Sequence, residues 1–429
     1  MARGLIIAAP SSGSGKTLVT MGLLGALKNK GINAVSAKTG PDYIDASFHA
    51  LTTGQVASNL DPWAMSQSQL CARAQRAAKG ADLLIIEGVM GLFDGAVSGN
   101  GSTADLAAAL NLPVVLVVDV GSMAQSIAAV VHGFSTLRAD ISVAGVILNR
   151  VASERHEMML EAALEPLNIT YLGGLGRDDE LSIPSRHLGL TLPKDFAAAK
   201  NVAKASVKRI EQHINLDLLQ DIAAPVRSAS ASKMLAPLGQ HIAIARDQAF
   251  AFIYPHFLWD WQAQGAELSF FSPLLDEAPN SDADAIFLPG GYPELHAEKL
   301  SNATHFASAM HQAATANKLI YGECGGYMVL GQSLTNKQGE THKMLGLLPH
   351  SSSIDRPRRQ LGYRQLTHNS PLPWPKHLRG HEFHYSSQSG EVNQTLFEAS
   401  DAQGNVQPQM GCVFGNVMGS YAHIIDAAQ

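Results

Sequence analysis

The chain has 429 residues, a formal net charge of −6, and 46% hydrophobic and 16% charged residues. That composition buries large cores and excludes a disordered or fibrous chain, and the length suits two or three domains. The absence of basic blocks argues against nucleic acid as the main partner, because duplex binding needs clustered Lys and Arg.

Only Cys71, Cys324 and Cys412 occur, too far apart for a disulfide framework or a CxxC metal pattern. A reducing, cytoplasmic setting fits that usage. Too few apolar residues follow Arg3 for a signal-peptide core. The longest uncharged run, Val120–Leu137, is interrupted by Gly, Ser, Gln and His and reads as a packed helix, so no membrane partner is expected.

The first apolar run, Leu5–Ala9, reads as a buried strand. The stretch "PSSGSGKT", Pro10–Thr17, follows it, and Thr17–Lys30 has the apolar spacing of a crossover helix stopped at Gly31. Further continuous apolar runs at Asn33–Ala37, Asp82–Ile86, Pro113–Val118 and Val143–Leu148 predict a parallel sheet covered by helices on both faces. Residues 195–222 read as helical and solvent-facing, and residues 223–238 as a linker. The strand and helix alternation then restarts with "HIAIARD", "ELSFFSP", "ADAIFLPGG" and "KLIYGECGG", predicting a second α/β domain that is not a repeat of the first.

Strand, small-residue loop and helix in that order make Gly13, Ser14, Gly15, Lys16 and Thr17 a phosphate-binding loop. Backbone N–H groups converge on the anion, Lys16 reaches the β and γ phosphates, and the Thr17 hydroxyl holds Mg²⁺. Pro10 stands where the usual pattern has its first Gly. Lys38, Asp42, Asp45, Glu87 and Asp94 follow strand ends, where open parallel sheets bind ligands. Taken singly, each Asp reads better as a turn or cap residue. Asp119 rivals Glu87 as the metal-associated acid, and the Gly-rich loop after Glu87 favours Glu87.

The second chemistry centres on "YGECGGYM". The Gly-x-Cys-x-Gly spacing is that of a nucleophile elbow between strand and helix, where a thiolate is stabilised. Cys71 and Cys412 read as inert small hydrophobes. His423 is the candidate base, equally readable as a packed histidine. "LPGGYPE" ends a strand in two glycines, so the Gly291 and Gly325 N–H groups can form an oxyanion hole, and Glu294 can face a substrate ammonium. One half binding ATP and the other attacking a carbonyl with Cys points to amide formation. ATP activates a carboxylate as an acyl phosphate, and ammonia from glutamine displaces the phosphate.

"APSSGSGKT", "KTGPDYID", "EGVMGLFDG", "IPSRHLGL", "IAIARDQAFAFIYP", "LPGGYPE", "YGECGGYM", "RGHEFHYS" and "GSYAHI" together resemble the cobyrinic and hydrogenobyrinic acid a,c-diamide synthase family, nearly end to end. The resemblance implies an α/β chain with a dethiobiotin-synthetase-like P-loop domain over 1–195, a helical segment and linker over 196–238, and a class I glutamine amidotransferase-like domain over 239–429. It implies amidation of the a and c acetate groups of a corrinoid with ATP, Mg²⁺ and L-glutamine, and allows a homodimer. It makes Cys324 the glutamine nucleophile and His423 its base. Thr17, Asp45 and Glu87 become Mg²⁺ neighbours, Asp94 a residue of the acyl-phosphate chemistry, and Asn149 an adenine contact. Class I amidotransferases carry Glu two residues after the His; here Ile425 stands there, and the branch resembles those with a Cys–His dyad. Lys38, Asp42, Tyr43, Arg379, His381 and His384 are left between substrate, interface and packing roles. Cobyric acid synthase, nickel-sirohydrochlorin diamide synthase and a P-loop regulatory ATPase are the alternative readings.

Overall fold

The structure is a computed structural model that describes residues 2–178, 198–228 and 234–428. The "IPSRHLGL" motif and linker residues 229–233 lie outside them. The chain forms two compact units, Met1–Lys233 and Met234–Gln429. Among the described residues no helix is long and apolar enough to cross a membrane.

In the first unit the expected strands form one parallel sheet. Its order is Ser58–Leu60, Ala34–Thr39, Leu83–Glu87, Arg3–Ala8, Val114–Asp119, Val143–Val151, Thr170–Gly176. Leu5, Ile6, Ile7, Leu84, Ile85, Val115 and Val117 are fully buried, as strands covered on both faces require. Each such side chain contributes about 1.5–3 kcal/mol of burial. The register sets Ile7 and Lys38 on either side of Glu87, so the carboxyl ends of three neighbouring strands meet at one edge.

The helix after the phosphate loop runs Lys16–Asn29. Residues 199–222 correct the solvent-facing expectation. The helix Ala199–His213 buries Val202, Ala203, Ser206 and Ile210, and it lies so close that a Cβ on Gly25 would meet Val207 at 2.2 Å. Only small residues permit that approach. Just beyond, Ala224–Pro225 pairs antiparallel with Arg3–Gly4.

In the second unit the four expected strands lie in a sheet of order Glu267–Phe271, His241–Ala245, Ala285–Leu288, Leu319–Glu323, Val417–Ser420, Cys412–Phe414. All pairs are parallel except the last. A four-stranded mixed sheet and a five-stranded antiparallel sheet accompany it. The larger orders Val406–Met410, Phe397–Ser400, Gln360–Thr367, His377–His384 and Ala422–Ala427. Its strand His377–His384 carries most of the "RGHEFHYS" stretch, and it sets His381 opposite His423.

Candidate active site

The phosphate loop begins where the strand Arg3–Ala8 ends. Gly15 has φ +96°, a left-handed conformation that favours glycine, and a Cβ there would lie 2.3 Å from Asn149 Nδ2. Ser14 Oγ donates to Ser11 O at 3.0 Å, and Asn149 Nδ2 donates to Ser14 O at 2.9 Å, so the loop is tied to itself and to a neighbouring strand. Among the described residues no side chain caps the Lys16–Asn29 helix, whose first-turn N–H groups are the ones that anions satisfy. Lys16 Nζ meanwhile donates to Met90 O at 2.5 Å and Ser11 O at 3.3 Å. Burial, then the nearby Lys38, push its ammonium below the ordinary lysine range.

Glu87 is the centre of the cluster. It is fully buried. Its Oε1 accepts from Thr17 Oγ1 at 2.7 Å and from Lys38 Nζ at 2.8 Å, while Oε2 lies 2.5 Å from His49 Nε2. Lys38 also donates to Asp45 Oδ2 at 2.8 Å and to Gly88 O at 3.1 Å. Burial would raise the Glu87 carboxyl, but Lys38 and His49 outweigh it and hold the group well below the usual carboxylate range. The same balance holds for Lys38. Burial lowers it, and Asp45 and Glu87 prevail to raise it. A buried charge persists only with such partners.

Asp42 takes the cap role anticipated for a single Asp. Its Oδ1 accepts from the Ile44 and Asp45 N–H groups at 2.8 and 3.1 Å, starting the helix Ile44–Thr53. Burial and the adjacent Asp45 push it up to about 7. Tyr43 sits half-buried beside it. Asp94 is exposed, accepts from Gly91 N–H at 2.9 Å, and its charge is felt at Lys16. Asp119 stands apart from this cluster, paired with Arg150 and accepting from Gly121 N–H. His49 is the member that sequence reading missed; its place four residues after Asp45, on one helix face, was the available signal. Among the described residues no three His, Cys, Asp or Glu gather as a metal cluster. Beside the loop, a cleft is lined by Gly15, Leu18, Asn149, Arg150, Arg177 and Ser206.

In the second unit Cys324 joins the strand Leu319–Glu323 to the helix Gly325–Leu330 with φ 47° and ψ −106°. Such a backbone is strained for a residue with a side chain and is met at nucleophile elbows. The turn needs its glycines. A Cβ on Gly322 would meet Leu330 at 2.7 Å, and one on Gly326 would meet Leu288 O at 1.9 Å. A Cβ on Gly325 would lie 3.0 Å from Gly291 N, so the two expected oxyanion-hole residues stand side by side.

Gly290 fixes the relation of Cys324 to His423. A Cβ built on it would sit 2.3 Å from His423 Cε1 and 3.3 Å from Cys324 Cβ, so both side chains border one small gap. Burial pushes the His423 imidazole down to about 3, with His381 and His384 adding to the effect. The resting ring is therefore neutral. Burial and then Glu294 push the Cys324 thiol above its ordinary range. The resting group is a thiol that needs a base, rather than the stabilised thiolate expected at a helix start.

Behind His423 the "RGHEFHYS" side chains form a closed polar network. Glu382 Oε2 accepts from Arg364 Nε and Nη2 at 2.8 and 2.7 Å, and Oε1 lies 2.8 Å from His384 Nε2. His384 stacks on Tyr421 at 4.0 Å between ring centroids and meets Ser386 Oγ at 2.9 Å. His381 is pushed down to about 4 by burial and by Arg364. Arg379 lies half-buried on the same strand, two positions before His381.

With a phosphate loop over a buried carboxylate in one unit and a strained Cys beside a neutral His in the other, comparison with known proteins is decisive. Residues 5–190 match the CobQ/CobB/MinD/ParA nucleotide binding domain, and residues 241–429 match the CobB/CobQ-like glutamine amidotransferase domain. Hydrogenobyrinate a,c-diamide synthase of Brucella abortus biovar 1 is 51% identical over 429 residues, covering 99% of this chain and 98% of that protein. Its namesakes from a Sinorhizobium species and from Rhodobacter capsulatus are 50% and 44% identical, each again covering 99% of this chain and 98% or more of their own. The chain belongs to the hydrogenobyrinate a,c-diamide synthase family. It is thus a glutamine-dependent ligase that uses a nucleotide, with a P-loop domain before an amidotransferase domain.

Proposed function

We propose that the chain amidates the a and c acetate carboxylates of hydrogenobyrinate in cobalamin biosynthesis, drawing the nitrogen from L-glutamine and activating each carboxylate with ATP. The observation that supports this reading best is the pairing of two chemistries in one family member: Cys324 on its elbow beside His423, and Thr17 against Glu87 at the phosphate loop.

At the loop, Lys16 leaves the Ser11 and Met90 carbonyls for the phosphates, and the first-turn N–H groups bind their oxygens. Asn149 borders the cleft where the adenine lies. Magnesium takes one or two carboxylates with phosphate and water oxygens. The Thr17 hydroxyl and Glu87 carboxylate, already in contact, suit that set, with Asp45 adjacent through Lys38. When bound, the ion supplies positive charge to the phosphoryl oxygens. Lys38 neutralises the carboxylates meanwhile, and Asp94 acts beside the acyl phosphate.

At the elbow, His423 takes the Cys324 proton as the sulfur attacks the glutamine carboxamide carbon. The oxyanion rests on the Gly291 and Gly325 N–H groups. His423 returns the proton to the departing nitrogen, releasing ammonia and leaving a thioester. Water, deprotonated by His423, cleaves the thioester to glutamate and restores the thiol. The ammonia then displaces phosphate from the acyl phosphate to form the amide. Functional boundaries at 1–195, 196–238 and 239–429 and a soluble cytoplasmic enzyme, allowing a homodimer, complete the reading. Incubation with cobalt-free and cobalt-containing macrocycle, each weighed by mass spectrometry, tests it. Two added amides on hydrogenobyrinate are expected, and no mass change on either substrate contradicts the proposal.

A further inference from the structure

The class I position two residues after the histidine holds Ile425, an apolar residue that is fully buried. Another carboxylate occupies the space that matters. Glu323, the residue before the nucleophile, is 1% exposed, and its Oε2 lies 3.8 Å from His423 Nδ1. Its Oε1 accepts from Tyr321 OH and from the Ile424 N–H, each at 3.1 Å. The second of those bonds comes from the strand that carries His423, at the very next residue. One oxygen is therefore pinned, and the other faces the imidazole.

We propose that Glu323 is the positioning carboxylate of His423, supplied from beside the nucleophile instead of from beyond the histidine. The inference rests on the reading of Cys324 and His423 as the glutaminase pair. The contacts of the neighbouring acids differ from those of Glu323. Glu382 is held through both oxygens by Arg364 and His384. Asp426 lies three residues along the strand from His423, across a β-bulge, and its Oδ1 accepts from Ala427 N–H. A gap of 3.8 Å is longer than a hydrogen bond, and catalytic contacts of this kind close when substrate binds.

The chemistry follows from the proton positions. An ionised Glu323 accepts Nδ1–H, which leaves Nε2 bare to take the Cys324 proton. A protonated Glu323 donates to Nδ1, puts the ring proton on Nε2, and disables the base. Burial pushes Glu323 up to about 8, so glutamine hydrolysis rises as pH increases through that value. The groups facing it are Tyr321, Cys324 and His423, with Glu294, His381, Glu382 and His384 beyond them.

The test uses the full chain with ATP and hydrogenobyrinate, comparing glutamine with ammonium as nitrogen source. In Glu323→Gln the amide oxygen keeps the Tyr321 and Ile424 bonds, while the NH2 faces Nδ1 and fixes the wrong tautomer. The expected result is a fall of ~10²-fold or more in kcat for glutamine hydrolysis, with the glutamine KM within about twofold, the rise near pH 8 gone, and ammonium-driven amidation retained. Wild-type kcat and pH profile in that variant would overturn the proposal. Tyr321→Phe removes a bond that favours the ionised carboxylate, so the pH rise shifts upward. If Glu323→Gln loses ammonium-driven activity through misfolding, an unshifted profile in Tyr321→Phe overturns the proposal and a shifted one supports it. Cys324→Ala separates the two layers. Retained glutamine use there removes the underlying glutaminase reading, whereas its loss alongside a wild-type Glu323→Gln removes the Glu323 assignment alone.

Discussion

Thr17 donates its hydroxyl to Glu87 Oε1 at 2.7 Å across seventy residues of chain. The contact joins the phosphate loop to the end of a neighbouring strand, and it places a hydroxyl and a carboxylate where a nucleotide's phosphates and their cation belong. Thr17→Ala and Lys16→Ala should each lower ATP-dependent amidation by ~10²–10³-fold, the usual cost of deleting one preorganised donor. Phosphate release during turnover measures it. Undiminished release in Lys16→Ala would make the loop a mere turn.

Glu87 also links folding to pH. Its folded-state carboxyl lies below the ordinary value because Lys38 and His49 outweigh its burial. The stability it contributes is present above the unfolded-state value of about 4.3 and is lost as pH falls below it. Glu87→Gln leaves Lys38 short of a partner and should cost about 3–5 kcal/mol at neutral pH. It should also flatten this part of the acid limb. Urea unfolding from pH 7 down to 3 reads both effects. An unchanged acid limb would contradict the assignment.

Asp45 and Asp94 border the same cluster without being fully buried. Asp94→Asn should reduce kcat more than ATP affinity, since its role would be realised in the transition state. Asp45→Asn should weaken the metal-dependent step while sparing glutamine hydrolysis. In both, slower activation lets the monoamide leave before the second round, so chromatography should find it accumulating. Diamide formed at the wild-type rate by both variants would move the chemistry away from these acids.

Much of this was legible because strand ends announce ligand sites in a parallel sheet. The apolar runs located the strands, and Lys16, Thr17, Lys38, Asp45 and Glu87 followed from position. His49 offered only its spacing from Asp45, since a lone histidine on a helix with apolar neighbours reads as core until its partner across the sheet is known. Glu323 was hidden for a related reason. Adjacent to Cys324 in sequence, it acquires meaning only when Ile424 N–H and His423 arrive from a strand a hundred residues later. The antiparallel sheet carrying "RGHEFHYS" was also missed, because its strand His377–His384 alternates buried with more exposed residues and lacks the continuous apolar run that marked the others.

Gly290 offers a steric test of the Cys324–His423 pairing. A Cβ there would overlap His423 Cε1 at 2.3 Å, so Gly290→Ala must displace the ring. A shift of about 1 Å costs ~10²-fold in rate, and the overpacking costs about 1–3 kcal/mol in stability. Glutamate release should fall accordingly while ammonium-driven amidation persists. Wild-type glutamate release would mean that the ring is not the base.

The division of labour between the two units is tested most directly by Cys324→Ala, assayed for diamide formation with glutamine and, separately, with ammonium. The account predicts a loss of at least ~10³-fold with glutamine and near wild-type amidation with ammonium, because the phosphate loop and Glu87 are untouched. Retained glutamine-dependent amidation, or loss of both activities in a folded protein, would contradict it.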